Sequence, residues 1–149
     1  MLPMVVPVPR PERAAYLPLL LLADPSERLV AAYLAEGDMF GLCEDGQRRG
    51  VMVVTCYDDT AREIKNLAVA PEVQRRGYGR LLLRYAAGHY ASVAARLLVG
   101  TSESGVPFYT ACGFRYSHTL RDFFVDNYDE PIYENGVRCV NMIYLQQDL

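Results

Sequence analysis

Residues 63–83 read EIKNLAVAPEVQRRGYGRLLL, and the reading of this stretch decides that of the whole chain. Its first part belongs to a strand expected over 61–69. An imperfect alternation there puts Glu63, Lys65, Leu67 and Val69 on one face and Ile64, Asn66 and Ala68 on the other. Pro71 closes that strand, and a turn carrying Gly77 and Gly79 follows. A helix is expected over 79–91, where Leu82, Tyr85, Ala86 and His89 recur at helical spacing. A strand that enters a helix through such a turn leaves several backbone N–H groups unpaired. Those amides and the positive helix end attract a phosphate or pyrophosphate. Gly77 and Gly79 allow close approach, and Arg75, Arg76 and Arg80 add charge. The plain alternative is a common glycine turn with solvated arginines.

Two nucleotide readings fail on their own residues. The dinucleotide fingerprint needs a third glycine three positions after Gly79, where Leu82 stands. The Walker A loop needs Lys-Ser/Thr after its last glycine, where Arg80-Leu81 stands.

Working outward, 2–8 reads as an extended edge segment, because Pro3 and Pro7 disfavour a central strand. A helix is expected over 12–22, apolar on nearly every side, and a second from an N-cap at Ser26 to Ala35, stopped by Gly37. Strands are expected over 39–44, 50–57 and 61–69, an antiparallel run, and then over 97–100. A short helix over 106–112 ends at Gly113. Two long strands, 114–125 and 137–145, flank an acidic, aromatic connection. The fold class is therefore α/β (α+β): a mixed, mostly antiparallel sheet flanked by helices.

Composition bounds the function. A length of 149 residues fits one domain, 1–149, with a core large enough to need no staples. The chain is 51% hydrophobic, which excludes disorder. Its net charge of −3 lacks the broad positive field of a nucleic-acid binder. No apolar run approaches the roughly 20 residues of a membrane span. The proline-rich start does not read as a signal peptide, so the cytoplasm is the expected compartment. Cys43, Cys56, Cys112 and Cys139 are scattered without a CxxC pair. With only His89 and His118 beside them, no metal site is expected.

The loop Gln74-x-x-Gly77-x-Gly79 resembles the acyl-CoA loop of the GNAT superfamily of N-acetyltransferases, whose pattern is Gln/Arg-x-x-Gly-x-Gly/Ala. Asn66-Leu67-Ala68-Val69 with Pro71 resembles the family's entry into that loop, and Tyr109 with Gly113-Phe114 resembles its Tyr-x-x-x-Gly-Phe segment. The order of elements matches over about 51–116.

The resemblance implies transfer of an acetyl group from acetyl-CoA, as co-substrate and without a metal, to an amine of a small molecule or peptide. It places the cofactor site at Leu67, Val69, Gln74, Arg75, Arg76, Gly77, Tyr78, Gly79 and Arg80. Loop amides would hold the pyrophosphate, and backbone groups of Leu67 and Val69 the pantetheine arm. Tyr109 would protonate the departing thiolate; a core tyrosine is the alternative. Glu63 lies where several members keep a catalytic base and is expected to share the face of Leu67; an ion pair with Lys65 or Arg62 is the alternative. Many members carry an Asn shortly before the tyrosine, and here only Ser102, Glu103 and Ser104 stand in its place.

The stretch with Asp122, Asp126, Asp129 and Glu130 among Phe123, Phe124, Tyr128 and Tyr133 would favour a cationic acceptor if it borders the cleft. The segment 19–22 and the last strand offer a homodimer surface, although burial within one chain is simpler. A non-catalytic acyl-CoA-binding or sensing module is the competing function.

Overall fold

The computed structural model describes residues 2–149; Met1, the first residue of the segment read for a targeting signal, lies outside them. Nine strands and five α-helices follow one another along the described chain. Strand β1 (Met4–Pro7) forms the sheet edge expected for 2–8, pairing antiparallel with β2 (Asp38–Glu44). Then come β3 (Gln47–Cys56) and β4 (Ala61–Val69), completing the antiparallel run. Helix α3 (Tyr78–Tyr90) crosses over to β5 (Arg96–Thr101), which lies parallel to β4. Strands β6 (Arg115–Leu120) and β9 (Met142–Asp148) finish the sheet, in the order β1-β2-β3-β4-β5-β9-β6.

Helices cover both faces. Beneath one face, α3 buries Leu82, Leu83, Ala86 and Tyr90 against Phe40, Met52, Ile64 and Val99. Each fully buried leucine there is worth roughly 1.5–3 kcal/mol. Two tyrosines pin the helix at its ends: Tyr78 Oη donates to Glu44 at 2.5 Å and Tyr90 Oη to Asp38 at 2.6 Å. The loop before α3 is thereby fixed relative to both ends of β2. Helices α1 (Leu17–Ala23) and α2 (Glu27–Leu34) cover the other face with Leu20 and Val30 fully buried. Ser26 caps α2 as expected, its Oγ accepting from the Leu29 N–H at 3.2 Å. Leu19 and Leu21 pack into this chain's own core.

Three expected elements differ. The helix over 12–22 is split into a 3₁₀ turn, Arg10–Tyr16, and α1. Pro18 lacks an N–H and is accommodated only in the first turn of a new helix, which is where it stands. The strand over 114–125 stops at Leu120; Asp122 turns left-handed at φ 57° and α5 (Phe123–Asn127) follows. The strand over 137–145 is likewise interrupted. A small hairpin, β7 (Tyr133–Glu134) with β8 (Val137–Arg138), precedes β9, and its turn uses Asn135 and Gly136 at positive φ.

The alternation read for β4 also needs correction. Val53 pairs with Asn66 and Val54 with Ile64, so Lys65 is an extra, bulged residue. The bulge inverts the pattern beyond it. Ile64 shares the α3 face with Leu67 and Val69, whereas Glu63 joins Asn66 and Ala68 on the opposite face. Glu63 therefore does not point to the same side as Leu67.

Candidate active site

The bulge also opens the sheet. Strands β4 and β5 pair only from Ala61↔Arg96 to Ile64↔Val99. Past that point β4 stays with β3 and β5 stays with β9, whose pairing continues to Thr101↔Ile143. A bulge increases local twist and ends pairing, and it sits one residue beyond the last paired position. The result is a fork with a cleft of about 450 Å³, lined by Lys65, Asn66 and Leu67 on one arm and Gly100, Thr101 and Ser102 on the other.

A second cavity of about 440 Å³ adjoins it, sharing Leu67, Gln74 and Tyr109. Its lining includes Val69, Arg75, Gly77, Tyr78, Gly79 and Arg80, so of the nine residues assigned from the sequence to the acyl-CoA site only Arg76 lies outside it. Arg75 and Gly77 both take left-handed backbone, at φ 67° and 85°. This kinks the loop so that α3 begins with no side-chain cap, its first backbone bond running from Leu81 N–H to Gly77 C=O. The preceding N–H groups, those of Tyr78, Gly79 and Arg80, are the unsatisfied donors every helix start presents. A Cβ on Gly79 would stand 3.0 Å from Phe108 Cζ, so a glycine keeps the wall open there. Uncapped amides, two lining guanidiniums and this open wall suit a diphosphate.

Gln74 plays a bracing part: its Nε2 donates to Val69 C=O at 3.1 Å, tying the loop to the strand end. That bond also marks the free edge of β4. Backbone groups of alternate residues face the same edge, so those of Leu67 face it too, with no strand opposite.

Tyr109, near the middle of α4 (Val106–Ala111), is 9% exposed and lines both cavities. Its ring is held edge-on by Phe108 at 5.0 Å and Phe114 at 5.7 Å. Burial, then the nearby Cys112 and Glu134, push its phenol far above the ordinary tyrosine range, so it keeps its proton at neutral pH.

Glu63 is 6% exposed and lines neither cavity. Tyr144 Oη donates to its Oε2 at 2.7 Å, and Lys65 Nζ lies 3.3 Å from the same oxygen. Lys65 itself lines the fork. Ser102 and Ser104 both donate to Glu134 Oε2, at 3.0 and 3.1 Å, so their hydroxyls are engaged with the β7–β8 hairpin.

Of the acidic, aromatic segment, Phe124 and Tyr128 border the fork, whereas Asp122, Asp126, Asp129 and Glu130 are absent from its lining; Glu134, just beyond the segment, does line it. Tyr128 Oη donates to Asp24 Oδ1 at 2.8 Å, joining the segment to the α1–α2 turn. The sequence reading missed Phe108, Glu134, Asn66 and Asp24 as lining residues. Phe108, directly before Tyr109, was open to detection by proximity. The other three reach the site from a distant hairpin, across the bulge and from a helix turn, where no spacing rule points.

A GNAT acetyltransferase domain model matches residues 35–116. An N-acetyltransferase of Bacillus subtilis strain 168, YvbK, described as uncharacterized, is 36% identical over 135 residues, covering 88% of this chain and 87% of that one. Among solved structures, a Bacillus cereus protein described as an IAA acetyltransferase superposes with TM-score 0.92 at 36% identity, covering 99% of this chain and 100% of its own. A GNAT family acetyltransferase from Elizabethkingia anophelis, solved with acetyl-CoA bound, gives 0.89 at 34% identity over 99% and 98%. With the loop, the forked sheet and the tyrosine in this order, and with these relatives, the chain belongs to the GNAT family of N-acetyltransferases.

Proposed function

We propose that the chain is one catalytic domain that acetylates a primary amine of a small molecule, taking the acetyl group from acetyl-CoA by direct attack while both substrates are bound. The observation that carries this reading is the fork between β4 and β5, continuous through Leu67, Gln74 and Tyr109 with the uncapped start of α3. Acetyl-CoA supplies an activated thioester, which an uncharged amine opens to form an amide and release the free thiol.

The chain's residues serve that exchange as follows. Amides of 78–80, with Arg75 and Arg80, hold the diphosphate. The free edge of β4 at Leu67 and Val69 aligns the pantetheine arm. A backbone N–H at Leu67 meets the negative charge that builds on the carbonyl oxygen, and a preformed donor there is often the largest catalytic contribution. Tyr109 donates its phenolic proton as the carbon–sulfur bond breaks. Glu63, one residue before the last β4–β5 pair and just behind the fork, takes the proton of the acceptor ammonium through water. Four free thiols fit the reducing cytoplasm expected from the sequence.

Thiol release from acetyl-CoA in the presence of an amine panel tests the reading, with calorimetry of acetyl-CoA binding alongside. Turnover of an amine supports an enzyme. Tight acetyl-CoA binding without turnover of any amine supports the sensing module, and no binding overturns the proposal.

A further inference from the structure

Among the described residues the fork is lined by two carboxylates, Asp24 and Glu134. Asp24 is occupied on both oxygens: Oδ1 accepts from Tyr128 Oη and the Ser26 N–H, and Oδ2 from Tyr33 Oη. Glu134 is held differently. Ser102 Oγ and Ser104 Oγ both donate to its Oε2, at 3.0 and 3.1 Å. Ser102 is itself buried and directly follows the last residue of β5, so this clamp fixes the β7–β8 hairpin to one arm of the fork. The Cys139 thiol lies against the same carboxylate; burial, then the Glu134 charge, raise it, so it stays a neutral neighbour. Among the described residues Glu134 forms no ion pair.

A carboxylate offers about four lone-pair sites, and the two hydroxyls take sites on one oxygen only. Oε1 therefore keeps acceptor capacity, and the negative charge is met by neutral groups alone. Glu134 also stands close to the proposed chemistry. It lines the fork together with Tyr109, and after burial and Cys112 its charge is what raises the Tyr109 phenol. Leu22, Phe124 and Met142 make the wall around it apolar, and a charge-assisted hydrogen bond is strong in such a setting.

From this geometry we infer that Glu134 is the residue that holds the acceptor nitrogen. It draws the ammonium into the fork. Once one proton has passed through water to Glu63, it keeps a remaining N–H on Oε1 and leaves the nitrogen lone pair free to attack. Ser102 and Ser104 are positioning residues that act through it. The inference rests on the acetyl-transfer reading above and names the acceptor-binding residue of that same site.

The test follows thiol release with a panel of primary alkyl- and arylalkylamines at neutral pH, beside calorimetry of acetyl-CoA binding. Glu134→Gln, close to isosteric, should raise KM for the best amine ~10-fold or more with acetyl-CoA affinity retained. Glu134→Asp, which keeps the charge, should give a lower KM than Glu134→Gln. Glu130→Gln, at an exposed position outside the fork lining, should leave KM unchanged. Ser102→Ala with Ser104→Ala should lower kcat/KM in the wild-type background but add little to Glu134→Gln, because the hydroxyls act through that carboxylate. This non-additivity is a readout that a merely structural role of the serines would not produce. A KM within twofold of wild type in Glu134→Gln, an equal rise in Glu130→Gln, or full additivity of the serine pair would overturn the inference while leaving acetyl transfer standing. So would bound acetyl-CoA with no turnover of any amine. Absence of acetyl-CoA binding to the wild type strikes the underlying reading instead.

Discussion

Replacing Tyr109 by Phe removes one oxygen from a residue whose surroundings make the outcome calculable. Its ring is gripped by Phe108 and Phe114 at 5.0 and 5.7 Å. Phenylalanine keeps that packing, so stability should change by less than about 1 kcal/mol. The lost proton donor is a different matter. General acid catalysis typically contributes 10²–10⁴-fold, so kcat should fall by about 100-fold or more, equivalent to ~2.7 kcal/mol of barrier. Burial raises the phenol above its ordinary value of about 10, and the acid must be protonated to act. Its loss of function with rising pH is therefore displaced beyond the ordinary tyrosine range, and the wild-type kcat should show no Tyr109 limb up to about pH 10. Steady-state thiol release across pH, thermal melting and acetyl-CoA calorimetry together read these quantities. A kcat within threefold of wild type would refute the acid role. A loss matched by equal weakening of acetyl-CoA binding would return Tyr109 to the core.

Glu63→Gln should lower kcat about 100-fold with acetyl-CoA affinity retained; unchanged turnover with only a lower melting temperature would identify a buried partner of Lys65 and Tyr144. Gly77→Ala meets open space, since nothing lies within 4 Å of the added Cβ, but forces alanine to φ 85°. It should cost ~1–2 kcal/mol and weaken acetyl-CoA binding, whereas unchanged affinity would separate the loop from the diphosphate. Glu103 is pulled both ways: burial raises its carboxyl, while N–H bonds, including those from Asn141 at 3.1 Å and Val140 at 3.3 Å, prevail and hold it below the ordinary range. A depressed carboxyl stabilises above its unfolded pKa, about 4.3, and that stability is lost as pH falls through the folded value. Melting of wild type and Glu103→Gln should thus differ at pH 7 and draw together as pH falls from about 4.3 through the lower folded value; a constant difference would contradict the assignment.

Local rules carried much of the fold. Pro3 and Pro7 mark an edge strand, Ser26 caps a helix, and the apolar spacing of α3 announces the helix that packs on the sheet. The loop from Gln74 to Gly79 was legible because its chemistry is written in consecutive residues whose backbone needs are local. Two kinds of feature escaped. One is the bulge at Lys65, invisible in an alternating pattern because the extra residue is defined only by its pairing to Val53 and Val54. It decided both the face on which Glu63 lies and the point where the sheet forks. The other is the end of the chain, where strands of 114–125 and 137–145 became two shorter strands, a helix and a hairpin. Aromatic residues such as Phe124 and Tyr128 satisfy a strand pattern equally well, and what holds them in place is Asp24, more than a hundred residues away.

The sequence by itself determined the fold class, the glycine loop before α3 and the tyrosine beside it, since each depends on neighbours a few residues apart. Only the tertiary structure decided the forked cleft. Its far wall forms where a strand, a helix turn and a hairpin meet, and such a meeting leaves no periodic trace along the chain.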